Sequence, residues 1–465
     1  MAKPVRRQVR QLVALATAAA VALPSLPARA QNIPLIRDTE IEQLMRDYTQ
    51  PILKAAGLQS HNVKVVLIND RSFNAFVMDG KRIFVNTGAL SESTTPNQII
   101  GVLAHETGHI AGGHLSKLRQ ELANVQTATL IAMLLGAAAM AVGARAGAAA
   151  SDGMAQAGAA ALSGAPQVAM RSLLSYQRAH EEQADRAAVK FLAATSQSPK
   201  GMYETFKRFA DNSMFSARYA DPYAQSHPMP TERIAALTEI ARTSPIWDKK
   251  DPPELQHRHD MMRAKLSGFM EQPQTVGRRY PPSDQSLPAR YARAIATYRH
   301  SDLRAAVAQI DGLIATQPNN PYFYELKGQA LLEGAKPAEA IAPLRHAAQM
   351  VKDPTLIQLM LGQALVATND PRYSEEAINI LRNALAREPD APQAYQQLAM
   401  AYGRKGDVAQ ADLASAQAAF SRGDIKTARE LAARAKTRLP VGSPGWVRAD
   451  DIVAAKLPSM PNQRN

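Results

Sequence analysis

The sequence predicts a mainly α protein in two parts, an α+β domain with a small sheet followed by an α-solenoid of stacked helix pairs. Three observations predict it. His105-Glu106-Thr107-Gly108-His109 sets two histidines four residues apart in an apolar run that reads as a helix. Short β-type runs, two of them joined by Asp79-Gly80, stand just before that helix. Small residues then recur near the C-terminal end, at Ala294, Gly328, Gly362 and Ala399, with spacings of 34, 34 and 37.

The first 30 residues are expected to be a cleaved signal peptide. Lys3, Arg6, Arg7 and Arg10 form a basic start, Leu12 to Leu23 is an apolar run too short to span a bilayer well, and Ala28-Arg29-Ala30 is a small-x-small cleavage site. No cysteine follows the apolar run, which excludes a lipid anchor there. The formal charge of +13 includes Lys3, Arg6, Arg7, Arg10 and Arg29 of that segment, and +8 remains without them. Such a surplus, spread over the rest of the chain, does not argue for nucleic acid. With no cysteine at all, an exported chain has to rely on apolar cores, and 465 residues permit that.

Residues 31–267 are expected to form the first domain. An amphipathic helix carries Ile41, Leu44, Met45 and Tyr48; strands follow at 63–68, 73–77 and 82–86, with Asp79-Gly80 as a two-residue hairpin turn. Pro96 suits a helix start, and Asn97 to Ala104 carries the helix into the histidine motif. Thr127 to Ala144 holds 18 residues without a charge, so 127–144 is a candidate for peripheral membrane contact; its alanines and glycines contribute too little transfer energy for a stable span. Gln177 to Leu192 reads as a helix with a charged and an apolar face, and further helices follow to about 240. Residues 268–287, with Gly268, Pro273, Gly277 and Pro281-Pro282, read as a linker.

From 288 to 440 the chain repeats. Ala306, Ala340, Ala377 and Ala411 follow the four small residues by 12, 12, 15 and 12, and Pro318, Pro354 and Pro389 mark the ends. This is the tetratricopeptide pattern, in which small residues let paired helices cross closely. The excess of three residues falls near Asn369-Asp370-Pro371 as a loop, and residues 441–465 are left as a tail.

The chemistry lies in the histidine motif. Residues four apart on a helix are about 40° from one another, so both imidazoles can grip one Zn²⁺, and Glu106 can reach a water activated there. Zinc brings the pKa of bound water towards ~7, and Glu106 would act as general base in peptide hydrolysis. One ligand is missing. Leu115 stands where a third helix histidine would be needed, and His114 is one residue early and about 180° round the helix from His105, so it is expected to be structural and not to join the same metal. Glu181 and Asp185, four apart in His180-Glu181-Glu182-Gln183-Ala184-Asp185, fit better: Glu181 as ligand and Asp185 as acceptor for the free N–H of a ligand histidine. Glu182 points elsewhere, and Glu121 is the rival on the continuation of the first helix.

His105-Glu106-x-x-His109, then Glu181-x-x-Ala184-Asp185, then Ser226-His227-Pro228 with Arg233-Ile234, resembles the gluzincin family that contains HtpX and the CaaX prenyl proteases. The resemblance implies a zincin-type catalytic domain with one zinc ion held by His105, His109 and Glu181, Glu106 as base, and Asp185 behind the ligands. It implies that Asn74 and Ala75 belong to an edge strand holding substrate backbone, although Met78-Asp79-Gly80 replaces the Pro-Gly-Gly turn common in the family. His227 and Arg233 are candidates for a gate or a transition-state contact, His227 by closing the site as a fourth ligand.

With the signal peptide and the repeats, the resemblance implies a zinc metalloendopeptidase of the Gram-negative periplasm. It would act on misfolded or stalled outer-membrane proteins, with the repeats docking on the barrel assembly machinery. The alternative is a chaperone or adaptor working through the repeats, with proteolysis latent.

Overall fold

The computed structural model describes residues 34–143, 174–215 and 227–455. The expected signal peptide, residues 144–173, Ser226 and the last ten residues lie outside them. The chain divides into two units, 1–35 and 36–465.

Asp38 starts helix α1 (Thr39–Ala55) by accepting from Ile41 N at 2.9 Å, and the apolar stripe Ile41, Leu44, Met45, Tyr48 and Ile52 is buried as its spacing requires. Strands β1 (Leu35–Ile36), β2 (Lys64–Ile68), β3 (Ala75–Val77) and β4 (Arg82–Asn86) form a sheet of order β1-β2-β4-β3. β4 runs parallel to β2 and antiparallel to β3, pairing Ala75 with Val85 and Val77 with Ile83. The turn is longer than its sequence suggests. Asp79 Oδ1 accepts from both Lys81 N and Arg82 N at 3.0 Å and Gly80 adopts φ +73°, so Met78 to Lys81 all lie outside the strands.

Helix α2 (Thr87–Glu92) leads to α3 (Pro96–Ala111), which has Pro96 at its start and carries the histidine motif. The chain breaks at Gly112-Gly113, with Gly113 at φ +63°, before α4 (His114–Gly143). No helix of the described residues is long and apolar enough to cross a membrane. Helix α5 spans residues 174–194, followed by α6 (Lys200–Phe215) and α7 (Thr231–Arg242). Together with α1–α3 and the sheet they enclose one apolar core.

The expected linker is folded. Helix α8 (Pro253–Met270) places Met262 and Leu266 in the core of the first domain, and Met261 and Ala264 in the core under the first repeats. A Cβ on Gly268 would stand 2.7 Å from Ile295 Cβ, so this glycine is a site of close helix packing, not of flexibility. Pro273 begins helix α9 (Pro273–Arg279), whose Val276 is buried in the same core. The composition misled because proline and glycine also serve helix starts and tight crossings.

Helix pairs follow: α10 (Leu287–His300) with α11 (Leu303–Thr316), α12 (Pro321–Glu333) with α13 (Pro337–Met350), α14 (Thr355–Ala367) with α15 (Ser374–Arg387), and α16 (Pro392–Arg404) with α17 (Val408–Ser421). A Cβ on Gly328 would lie 2.4 Å from Leu344, and one on Gly362 2.5 Å from Leu381, both on the paired helix. The three extra residues form the 3₁₀ turn Pro371–Tyr373. A further pair, α18 (Ile425–Lys436) and α19 (Pro444–Ala454), puts Ala449 and Ile452 against Ala428 and Ala432, so the first part of the expected tail is a packed helix.

A buried polar joint ties α1 to α8 and the repeats. Lys265 Nζ lies 2.7 Å from Asp38 Oδ2 and 3.1 Å from Glu40 Oε2; Tyr291 donates to Glu40 at 3.0 Å and Thr39 to Glu325 at 2.6 Å. Burial pushes the Glu325 carboxyl up to about 7 against the pull of Lys265. Folding therefore takes up a proton there, and that stability is lost as pH rises from about 4.5 through about 7. Glu325→Gln removes the dependence. Its stability relative to the parent should rise with pH, by on the order of 1–3 kcal/mol between pH 4 and pH 8, measured as urea midpoints.

Candidate metal centre

His105 and His109 lie on α3, Glu181 on α5, and His227 just before α7. One donor atom from each falls within 4.8 Å of all the others. His105 Nε2 is 3.1 Å from His109 Nε2, 3.4 Å from His227 Nδ1 and 3.3 Å from Glu181 Oε2; His109 Nε2 is 3.4 Å from Glu181 Oε1, and His227 Nδ1 is 3.1 Å from Glu181 Oε2. Edges of about 3.3–3.4 Å are what a tetrahedral shell of donors at ~2.0–2.1 Å needs. Nitrogen lone pairs and a carboxylate converging at this spacing repel one another unless a cation stands among them. The set fits a divalent metal that accepts nitrogen and oxygen ligands.

The α3–α5 approach is set by Gly108, where a Cβ would lie 2.8 Å from Ala184 O. Behind the donors, His105 Nδ1 lies 2.9 Å from Asp185 Oδ1, and the His105 ring meets the edge of Phe206 at 5.1 Å between centroids. Burial pulls the His105 pKa down, but Asp185 and Glu181 outweigh it and lift it to about 9. Burial and the neighbouring His105 hold His109 well below the usual histidine range. Burial would raise Glu181, but His227, His105 and Arg233 keep it well below the usual carboxylate range.

Glu106 is 1 % exposed, and neither carboxylate oxygen has a hydrogen-bond partner among the described residues. Its Oε1 stands 3.5 Å from His227 Nε2, too far for a good hydrogen bond. Burial raises its pKa. An acceptor left unmatched inside a protein is costly, which marks this carboxylate as one set for chemistry.

Arg233 is 3 % exposed and committed on three sides: Nε and Nη2 to Asp185 at 2.7 and 2.9 Å, Nη1 to Glu181 at 2.7 Å and to Pro228 O at 3.0 Å. It ties the loop carrying His227 to the helix carrying Glu181. A cleft of about 570 Å³ opens on this group, lined by Phe76 and Val77 of β3 and by Glu106, His109, His180, Glu181 and His227. Asn74 and Ala75 do not line it: Ala75 is fully buried, and Asn74 uses its carbonyl to accept from Asn86 N at 2.9 Å. Glu182 is exposed, as expected, and Glu121 is not among the converging donors.

His114 corrects the sequence expectation in part. The angle of 180° holds only for one continuous helix, and the break at Gly112-Gly113 folds the chain back and brings His114 Nδ1 within 3.0 Å of His109 Nδ1. The glycine pair was the signal that could have found this contact, and Phe206 beside His105 had none.

Residues 36–241 match peptidase family M48. The beta-barrel assembly-enhancing protease of Yersinia pestis is 24% identical over 384 residues, covering 81% of this chain and 75% of its own length. That of Escherichia coli strain K12 is 24% identical over 387 residues, with 80% and 73% covered. Among solved structures, MamA MSR-1 C2 aligns with 40% of this chain and 99% of its own at 19% identity and a TM-score of 0.30. The match to peptidase family M48 spans every residue of the converging group and of its supports, and the similarity to the two proteases runs on into the helical repeats; over residues 36–241, a little under half of the chain, the protein is similar to that peptidase family.

Proposed function

We propose that the chain is a zinc-dependent endopeptidase, with His105, His109 and Glu181 holding the metal and Glu106 as general base. The observation that carries this reading is the convergence of four donors beside a buried carboxylate whose oxygens have no hydrogen-bond partner among the described residues. Zinc, when bound, supplies the Lewis acidity that polarises a peptide carbonyl and lowers the pKa of water. Glu106 takes the proton of the attacking water and returns it to the leaving nitrogen. Asp185 fixes His105 from behind, and Arg233 pairs with both Asp185 and Glu181. The edge strand β3 offers a substrate chain backbone pairing along the cleft, with Phe76 and Val77 at the cleft wall; Ala75 begins the strand and Asn74 precedes it, both outside the lining.

His227 fills the remaining donor position and keeps the site closed at rest. Its loop has to shift before water and substrate can enter. His227→Ala is then expected to cleave an unfolded protein several-fold faster than the parent, at equal metal content. A loss of cleavage would make His227 a transition-state contact instead.

Its relatives are named for enhancing β-barrel assembly; that name and the expected signal peptide support misfolded or stalled outer-membrane proteins in the periplasm as substrates, with the tetratricopeptide repeats presenting them or docking on the assembly machinery. The test of the whole reading is metal analysis of the purified chain together with cleavage of an unfolded β-barrel protein. About one zinc per chain and chelator-sensitive cleavage are expected. Absence of metal from the active chain would overturn it.

A further inference from the structure

We infer that His114 is the residue that sets the tautomer of His109, and that Gly112 keeps the space in which it does so. The inference rests on the metal reading above and concerns a residue outside the converging group. His109 turns Nε2 toward His105 and Glu181, so that nitrogen must keep its lone pair to bind a cation. In a neutral imidazole the proton then sits on Nδ1 and needs an acceptor. The atom 3.0 Å away is His114 Nδ1. To accept, His114 must carry its own proton on Nε2, and that nitrogen lies 3.3 Å from the side-chain oxygen of Gln183. One proton pattern satisfies the row: His109 donates to His114, and His114 donates to Gln183.

Packing holds the ring in place independently of these bonds. His114 stacks on His180 with centroids 4.3 Å apart and planes 7° from parallel, and Tyr176 covers His180 at 4.1 Å. The other side is kept clear by a glycine: a Cβ on Gly112 would stand 2.2 Å from His114 Nε2. Gly113, at φ +63°, supplies the reversal that returns the ring to α3. The two histidines of the motif are thus supported differently, His105 by the carboxylate of Asp185 and His109 by a neutral imidazole. A carboxylate makes its partner the more basic ligand, so His109 is the weaker of the two and depends more on being correctly turned.

The test uses the full chain with three substitutions. His114→Phe keeps the stack on His180 and removes the acceptor; His114→Asn keeps an acceptor near the Nδ1 position; Gly112→Ala displaces the ring. Zinc affinity is measured by chelator competition, and the ring nitrogens of His109 are followed by ¹⁵N shifts in the zinc-free chain. His114→Phe and Gly112→Ala are expected to weaken zinc binding about 10–100-fold, while His114→Asn stays within a few-fold of the parent. In the parent, His109 should hold its proton on Nδ1, and His114→Phe should shift it toward the Nε2 form. Parent-like zinc affinity in His114→Phe, or a parent His109 protonated on Nε2, would overturn the inference. A parent that binds no zinc would sink the metal reading instead, and the nitrogen shifts would still decide the role of His114.

Discussion

Glu106→Gln is expected to lower kcat for an unfolded substrate by about 10²–10⁴-fold, the range that a positioned general base supplies. The amide has nearly the shape of the carboxylate and cannot take a proton from water. Glu106 is not among the four converging donors, so the variant should bind metal as the parent does. The fold should gain from the change. Burial raises the Glu106 pKa, so its contribution to stability is present at low pH and lost as pH rises through the folded value. The amide has no such loss, and the variant should melt higher than the parent at neutral pH and match it in acid. Unchanged cleavage by Glu106→Gln would show that another group is the base.

Arg233→Met should destabilise the metal-free protein by about 3–5 kcal/mol, the cost of leaving buried charges without their partner. Asp185 and Glu181 are 3 % and 6 % exposed, and the same guanidinium answers both. Metal should restore part of the loss, because a cation beside Glu181 does some of what Arg233 did. Denaturation in urea with and without zinc measures both effects. An arginine that served only the transition state would give the opposite pattern, normal stability with a reduced kcat. Its three sets of contacts, to Asp185, Glu181 and Pro228, argue for the structural outcome.

The parts of the site legible in sequence are those that local periodicity determines. The four-residue step of His105 and His109 and that of Glu181 and Asp185 each define one helix face, and the chemistry of the residues then selects partners for them. Strand 82–86 and the small residues Gly328 and Gly362 were legible for the same reason. What escaped depends on contacts between elements. Arg233 could be listed as a candidate, but its commitment to two carboxylates on another helix leaves no periodic trace. His114 was misplaced because a helix was extended through two glycines. The 268–287 segment was misread because Pro273 and Gly268 serve a helix start and a close crossing, uses that composition does not distinguish from a loop.

Helix α8 has a further consequence. Its Met262 and Leu266 belong to the core of the first domain, and its Met261 and Ala264 to the core beneath the first repeats. A stack of helix pairs standing alone would fray from either end, since each pair is held only by its neighbours. Here one end is rooted, and amide hydrogen exchange should reveal a gradient, slowest at α8 and α10 and fastest at α18 and α19. A tug on the distal repeats would travel down the stack into the helix that also packs in the core of the first domain, so the two parts are joined mechanically through α8.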